Sequence, residues 1–154
     1  MALAAGQKLR IDNLYRGGGQ WANQAGTAIS ATTDTQGSFP TTIQSAPTFV
    51  TPSGGTNNSF TLLLDGLYTI DTSVRCAGGG NLQCSIYSGS GGFTISGVLR
   101  AACSPTVVSV ATTRHFTANT IIKVNWWFPT GASLDTGFGE ATGISISYHG
   151  VTTP

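Results

Sequence analysis

The residues able to do chemistry are few. The 154-residue chain has six carboxylates, Asp12, Asp34, Asp65, Asp71, Asp135 and Glu140, two histidines, His115 and His149, and three cysteines, Cys76, Cys84 and Cys103. A glycoside-cleaving acid and base pair would have to come from carboxylates distant in sequence, and Asp65 reads better as the turn residue before Gly66. A cysteine nucleophile needs a neighbouring base and a lowered pKa, and nothing around Cys84 or Cys103 argues for either. His115 and His149 each stand near the end of an expected strand, where a metal or a pH response would require copies of the chain to converge on an axis; the plainer reading is a surface or satisfied histidine. There is no His-Glu-x-x-His, Gly-x-Ser-x-Gly, Walker or dinucleotide fingerprint, and no zinc-site spacing. The glycine-rich run 88–92 lacks the Lys-Thr and helix of a phosphate loop and reads as a turn. The expectation is no enzyme, no cofactor and no metal.

Composition narrows the partners. Charged residues make up 8% of the chain with a net charge of +1, against about 25% in ordinary globular proteins. Hydroxyls, amides and 21 glycines take their place. So weak a field cannot steer nucleic acid or an anionic membrane surface, and neither is expected as a partner. No apolar run approaches the roughly 20 residues of a membrane span, so no membrane insertion is expected. The opening residues lack the basic-then-apolar order of a secretory signal, which implies synthesis in the cytosol. Three irregularly spaced cysteines do not make a disulfide scaffold. Cys76 and Cys84 flank a glycine-rich stretch that a hairpin could use to place them opposite one another, and both read as reduced, buried small hydrophobes.

The elements that must carry these residues are strands. No window repeats apolar positions at helical spacing without Gly, Pro or β-branched clusters intervening. Residues 67–74 alternate, with Tyr68, Ile70, Thr72 and Val74 on one face and Thr69, Asp71 and Ser73 on the other. Residues 121–128 alternate too, setting Ile122, Val124, Trp126 and Phe128 against Ile121, Lys123, Asn125 and Trp127. Further strands are expected at 60–64, 82–87, 93–99, 106–116 and 143–148, with weaker extended segments at 26–33 and 39–50. Turn-forming runs separate them about every ten residues, the pattern of an all-β sandwich or jelly roll.

Residues 1–20 differ in kind. Lys8, Arg10 and Arg16 supply three of the seven basic residues and are followed by Gly17-Gly18-Gly19. They read as a docking arm on a flexible glycine link, with Lys8, Arg10, Leu14 and Arg16 as its contact residues, and residues 21–154 as the jelly-roll domain. Trp126 and Trp127 cannot both face one core, because strand neighbours point oppositely. Burying one such ring is worth about 4–6 kcal/mol at the upper limit, so the second indole calls for another surface. A subunit interface is the first explanation, a carbohydrate-stacking platform the second, and a covering loop or arm the third.

Over about residues 39–150 the pattern resembles the jelly roll shared by tumour necrosis factor and the complement-type globular heads. Residues 60–70 look like that family's strand, Gly-x-Tyr corner and following strand, carried by Gly66, Tyr68 and Ile70. Residues 116–126 look like its turn and alternating strand, with Ala118-Asn119-Thr120 in place of the usual Gly-Asp-type turn, and residues 142–150 like its last strand. The resemblance implies a homotrimer, with Tyr68, Trp126, Trp127, Phe128 and Tyr148 in the core or at the trimer interface. The opening Ala5–Leu14 is similar to that of small tail-associated virion proteins of bacteriophages. This implies a non-enzymatic structural protein of the virion, whose arm docks on other virion proteins. Its trimeric head would then be a tail-tip, tail-fibre or baseplate module facing a host-surface saccharide, with loops 88–92 and 129–140 as the contact face. The alternative is a capsid decoration protein that stabilises the shell; a depolymerase and a standalone lectin rank lower.

Overall fold

The computed structural model describes residues 17–23, 28–29, 35–53, 55–77, 81–88, 93–102, 106–128, 132–134 and 142–150. These residues form strands β1 (Gly17–Ala22), β2 (Ala28–Ile29), β3 (Thr35–Gln36), β4 (Thr41–Gln44), β5 (Val50–Ser53), β6 (Ser59–Leu62) and β7 (Gly66–Ala77). They continue with β8 (Asn81–Ser88), β9 (Phe93–Ala102), β10 (Thr106–Phe116), β11 (Ile121–Trp127), β12 (Ala132–Leu134) and β13 (Gly143–Gly150), and there is no helix among them. The strands make two antiparallel sheets. In the first, here the β7 sheet, the order is β4-β1-β13-β7-β10, with β12 and β2 continuing beyond β13 along the same side of β7. In the second, the β11 sheet, it is β5-β6-β11-β8-β9, with the short β3 beside β11. Two packed antiparallel sheets with these crossovers are the jelly-roll sandwich expected from the strand spacing.

Alternation explains the core. From β7 the sandwich receives Tyr68, Ile70, Thr72, Val74 and Cys76, and from β11 and the residue after it Ile122, Val124, Trp126 and Phe128, all buried. Both sets were read from the period-2 pattern. Thr72 is tolerated among them because its hydroxyl donates to the Gly143 carbonyl at 2.8 Å, so no buried polar group is left over there. At one end, rings chain across the sandwich: Trp21 lies 4.6 Å from Phe60, Phe60 6.0 Å from Phe39, and Phe39 5.7 Å edge-on from Trp126. Such tilted and edge contacts suit the ring quadrupole.

At the other end two tyrosines fasten the corner ahead of β7. Tyr68 donates its hydroxyl to the Leu64 carbonyl at 3.0 Å and accepts from the Leu64 amide at 3.3 Å, while Tyr148 donates to the Asp65 carbonyl at 3.1 Å. Asp65 accepts from the Ala118 amide at 2.6 Å, which ties this corner to the next turn, so it is a turn residue as read. Gly66 adopts φ +151°, and a side chain there would meet the Gly150 carbonyl and the Tyr148 ring. Only glycine fits.

Two sequence expectations are corrected. Gly17-Gly18-Gly19 is not a flexible link: it pairs with Tyr148, Ser147 and Ile146 of β13, inside the sheet. A side chain at Gly17 would run into the Phe49 ring and one at Gly19 into the Trp21 indole; the glycines make room for the rings that close the core. The boundary at residue 20 therefore falls inside β1, and Lys8, Arg10, Leu14 and Arg16 of the expected arm lie outside the described residues. Nor do Cys76 and Cys84 face each other across a hairpin. β7 and β8 belong to different sheets, so no hairpin joins them; each thiol is buried on the inner face of its own sheet, with Cys76 near enough to add to the rise in the Cys84 pKa. The weaker segment 39–50 is shorter than expected, contributing β4 and a turn before β5; of 26–33, Ala28–Ile29 is strand β2 and the rest lies outside the described residues.

Candidate functional site

The structure separates the five aromatic residues singled out from the sequence. Tyr68 and Tyr148 belong to the inner face of the β7 sheet, with rings 4.9 Å apart, and Trp126 and Phe128 to the inner face of the β11 strand. All four are spent inside one chain, so they cannot line a contact between chains. Burial raises both tyrosine pKa values, and for Tyr148 the nearby Asp65 charge adds to the effect. Trp127 alone points outward and remains half-exposed. Cys84 sits beside Trp126 with its thiol pushed up to about 12, chiefly by burial. A thiol so far from ionisation at neutral pH is a packing group rather than a nucleophile. The Trp21 indole N–H is buried with no hydrogen-bond partner among the described residues, whereas that of Trp126 lies close enough to the Cys84 sulfur to offset part of the rise in the thiol's pKa.

Function must therefore be sought on the two outer faces. That of the β7 sheet is built from rows of small residues in register. One row runs Gly18, Ser147, Thr69, Thr113; the next Gln20, Ser145, Asp71, Ala111; a third Gly143, Ser73, Ser109. The Thr69 and Thr113 hydroxyls are 2.8 Å apart, and Nε2 of the exposed His149 is 2.8 Å from the Thr69 hydroxyl. Larger side chains flank these rows, since the same register sets Leu67 opposite the exposed His115 at one end and Arg75 opposite Val107 at the other. At their margin β10 ends the sheet: it pairs with β7 along eleven residues, and among the described residues no strand pairs with its other side. Val107 on β10 is 48% exposed.

The outer face of the β11 sheet has the opposite relief. On β11 the outward row is Ile121, Lys123, Asn125 and Trp127, and opposite these on β8 stand Tyr87 (facing Lys123), Ser85 (facing Asn125) and Gln83 (facing Trp127). Gln36 of β3 flanks Asn125 on the other side. Trp127 and Tyr87 are half-exposed, yet Ser85 between them is only 5% exposed. Ser85 stands where the β8–β9 register shifts, and its neighbours cover it. Lys123 is the charged residue on β8 and β11 of this face, and the register places Arg100 of β9 opposite the outward Gln83. The sequence pattern had placed Lys123, Asn125 and Trp127 together; Tyr87, Gln83 and Ser85 were missed, because only the β8–β11 register brings them alongside. Of the loops expected as a contact face, 89–92, 129–131 and 135–140 lie outside the described residues, while 132–134 is strand β12.

Among the described residues no three His, Cys, Asp or Glu side chains cluster as a metal site. No protein-family model and no curated protein sequence matches the chain. Solved structures do. A crystal structure of murine APRIL is 15% identical, with a TM-score of 0.61, covering 86% of this chain and 98% of that one. The structure of Eiger TNF from S. frugiperda is 13% identical, with a TM-score of 0.60, covering 89% and 94%. At these identities the likeness is one of fold: the chain is an all-β, TNF-like jelly roll, as its Gly-x-Tyr corner and strand order had led us to expect.

Proposed function

We propose that the chain is a non-enzymatic structural protein of a bacteriophage particle, a homotrimeric head that presents a binding surface at the tail. The observation that carries the self-assembly is the outer face of the β7 sheet. Its rows of Gly, Ala, Ser and Thr allow another copy to approach closely, and its margin is an eleven-residue edge strand with an exposed Val107. Among the described residues no strand pairs with the outer side of β10, and an open edge of that length invites unwanted strand pairing unless another element covers it; in this reading a second and third copy do so. The four buried aromatics leave this face as the one suited to assembly, and leave Trp127 for a different use. The placement on a virion rests on the opening Ala5–Leu14, whose pattern is similar to that of tail-associated phage proteins, and the charge-poor, hydroxyl-rich body suits a particle surface.

The test is light scattering on the full chain and on Ala111→Arg, which puts bulk and charge into the middle row. The expected result is a mass of three chains for the parent and one for the variant, with the thermal transition of the fold retained. A monomeric parent at micromolar concentration would overturn the trimer. Antibody labelling of particles released from a host that expresses the chain then tests the location: label at the tail supports the reading, whereas label over the capsid shell would replace it with capsid decoration.

A further inference from the structure

We propose that the outer face of the β11 sheet is a binding site for an extended acidic polysaccharide, stacked on Trp127 and Tyr87 and held through Lys123. The proposal gives the presented surface of the preceding section a place and a ligand class, and rests on that reading only for its biological setting. Trp127 and Lys123 are four residues apart on one face of β11, and Tyr87 stands directly across from Lys123. At the rise of a strand the two rings are about 14 Å apart, too far to share one sugar and well placed to hold two rings of an extended chain lying along the strands. Between them Asn125 and Gln83 offer amide donors and acceptors. Half-exposed aromatics bracketing a polar, mostly uncharged floor offer stacking area together with hydrogen bonds to hydroxyls, the two things a sugar ring presents. The charge selects among glycans. With Lys123 on β11, Arg100 of β9 in register opposite Gln83, and no carboxylate among the described residues of the face, a uronate or other acidic sugar is complemented and a cationic ligand is not.

The intact wild-type protein already carries a reporter. Trp21 and Trp126 are buried and Trp127 is not, so a ligand covering this face shifts the emission of Trp127 alone. The experiment titrates the full chain with alginate, polygalacturonate and hyaluronate, with dextran as the neutral control, and repeats the series by affinity electrophoresis. At least one acidic chain should shift the emission and retard migration while dextran does neither. Trp127→Ala should weaken retardation by about tenfold or more, as loss of an aromatic anchor does. Trp127→Phe should keep part of it, and Lys123→Gln should reduce the preference for acidic over neutral chains, with Lys123→Gln/Arg100→Gln removing it. No response to any acidic chain, an equal response to dextran, or unchanged binding by a folded Trp127→Ala would overturn the proposal. So would a change of oligomeric state in Trp127→Ala, which would make this face a contact between copies. Failure of the assembly reading is separable: a monomeric parent that still binds the acidic chain leaves this site standing, and a trimer that binds none removes the site alone.

Discussion

The two outer faces are made by the same strand alternation and yet differ in relief. On the β7 sheet the three central outward rows of β1, β13, β7 and β10 are mostly Gly, Ser, Thr and Ala, with Gln20 and Asp71 in the middle row and the larger Leu67, His115, Arg75 and Val107 at the two ends. On the β11 sheet the equivalent positions carry Trp127, Tyr87, Lys123 and amides around a covered Ser85. A face with small residues at its centre offers shape to another flat surface and little to a small ligand; a face with two half-exposed rings offers the reverse. The interior is indifferent to this division, since both sheets supply it with large apolar side chains. The contrast teaches that, in a chain with so little charge, side-chain size on the outward positions is what distinguishes an assembly surface from a recognition surface.

The sharpest way to break this comparison is to truncate the two neighbouring tryptophans one at a time. Trp126 has no exposed surface and packs edge-on against Phe39, so Trp126→Ala should cost about 3–5 kcal/mol of unfolding free energy. Trp127 is half-exposed, and Trp127→Ala should cost about 1 kcal/mol or less. Urea unfolding of the two variants checks this. Comparable losses would mean that the outer ring is structural, and the assignment of that face to recognition would lose its footing.

A second prediction concerns the interior that the two faces share. Folded Cys84 has its pKa pushed up to about 12 from 9.0, mainly by burial, so as pH rises the unfolded chain loses the proton first. The stability this thiol contributes is complete below about 9 and is lost progressively as pH climbs toward 12, on the order of 1 kcal/mol per pH unit within that window. Tyr68, raised above 10.0 by burial, acts in the same direction at higher pH. Urea midpoints measured through the alkaline range should therefore fall, and Cys84→Ala should flatten the slope above 9. A slope unchanged in that variant would assign alkaline unfolding to the tyrosines instead.

How much of this was legible beforehand follows from what carries a pattern. The inward sets of β7 and β11 were readable because alternating apolar residues mark a half-buried strand without reference to anything distant. β1 was not, because glycines show no alternation, and their reason for being there lies in the Trp21 and Phe49 rings folded over them. The Cys76–Cys84 connection misled because a glycine-rich turn looks the same whether it closes a hairpin or crosses between sheets. The outward β11 face was half legible: Lys123, Asn125 and Trp127 follow from one strand's parity, but Tyr87 and Ser85 join them only through a pairing with β8 that local sequence does not encode. The assembly face was harder still, since small polar residues on a strand read as ordinary solvent-facing positions until four strands of them are set side by side.

The smallest effect expected bears on that assembly face. Thr69 and Thr113 share a hydrogen bond of 2.8 Å, and His149 reaches the same Thr69 hydroxyl at 2.8 Å. Such a chain could be read as a network that holds the sheet together. Within one chain Thr113 and His149 are exposed, and the net value of a cross-strand threonine pair is about 0.2–1 kcal/mol. Thr113→Val keeps the β-branched shape that favours a strand and removes only the hydroxyl. It should therefore change the urea midpoint by no more than that amount, and a double-mutant cycle with Thr69→Val should return a coupling in the same range. A coupling well above 1 kcal/mol would make the hydroxyl rows a structural network in their own right. Their small size would then serve the sheet's own cohesion, and the contrast between a face shaped for assembly and a face shaped for recognition would rest on the β11 side alone.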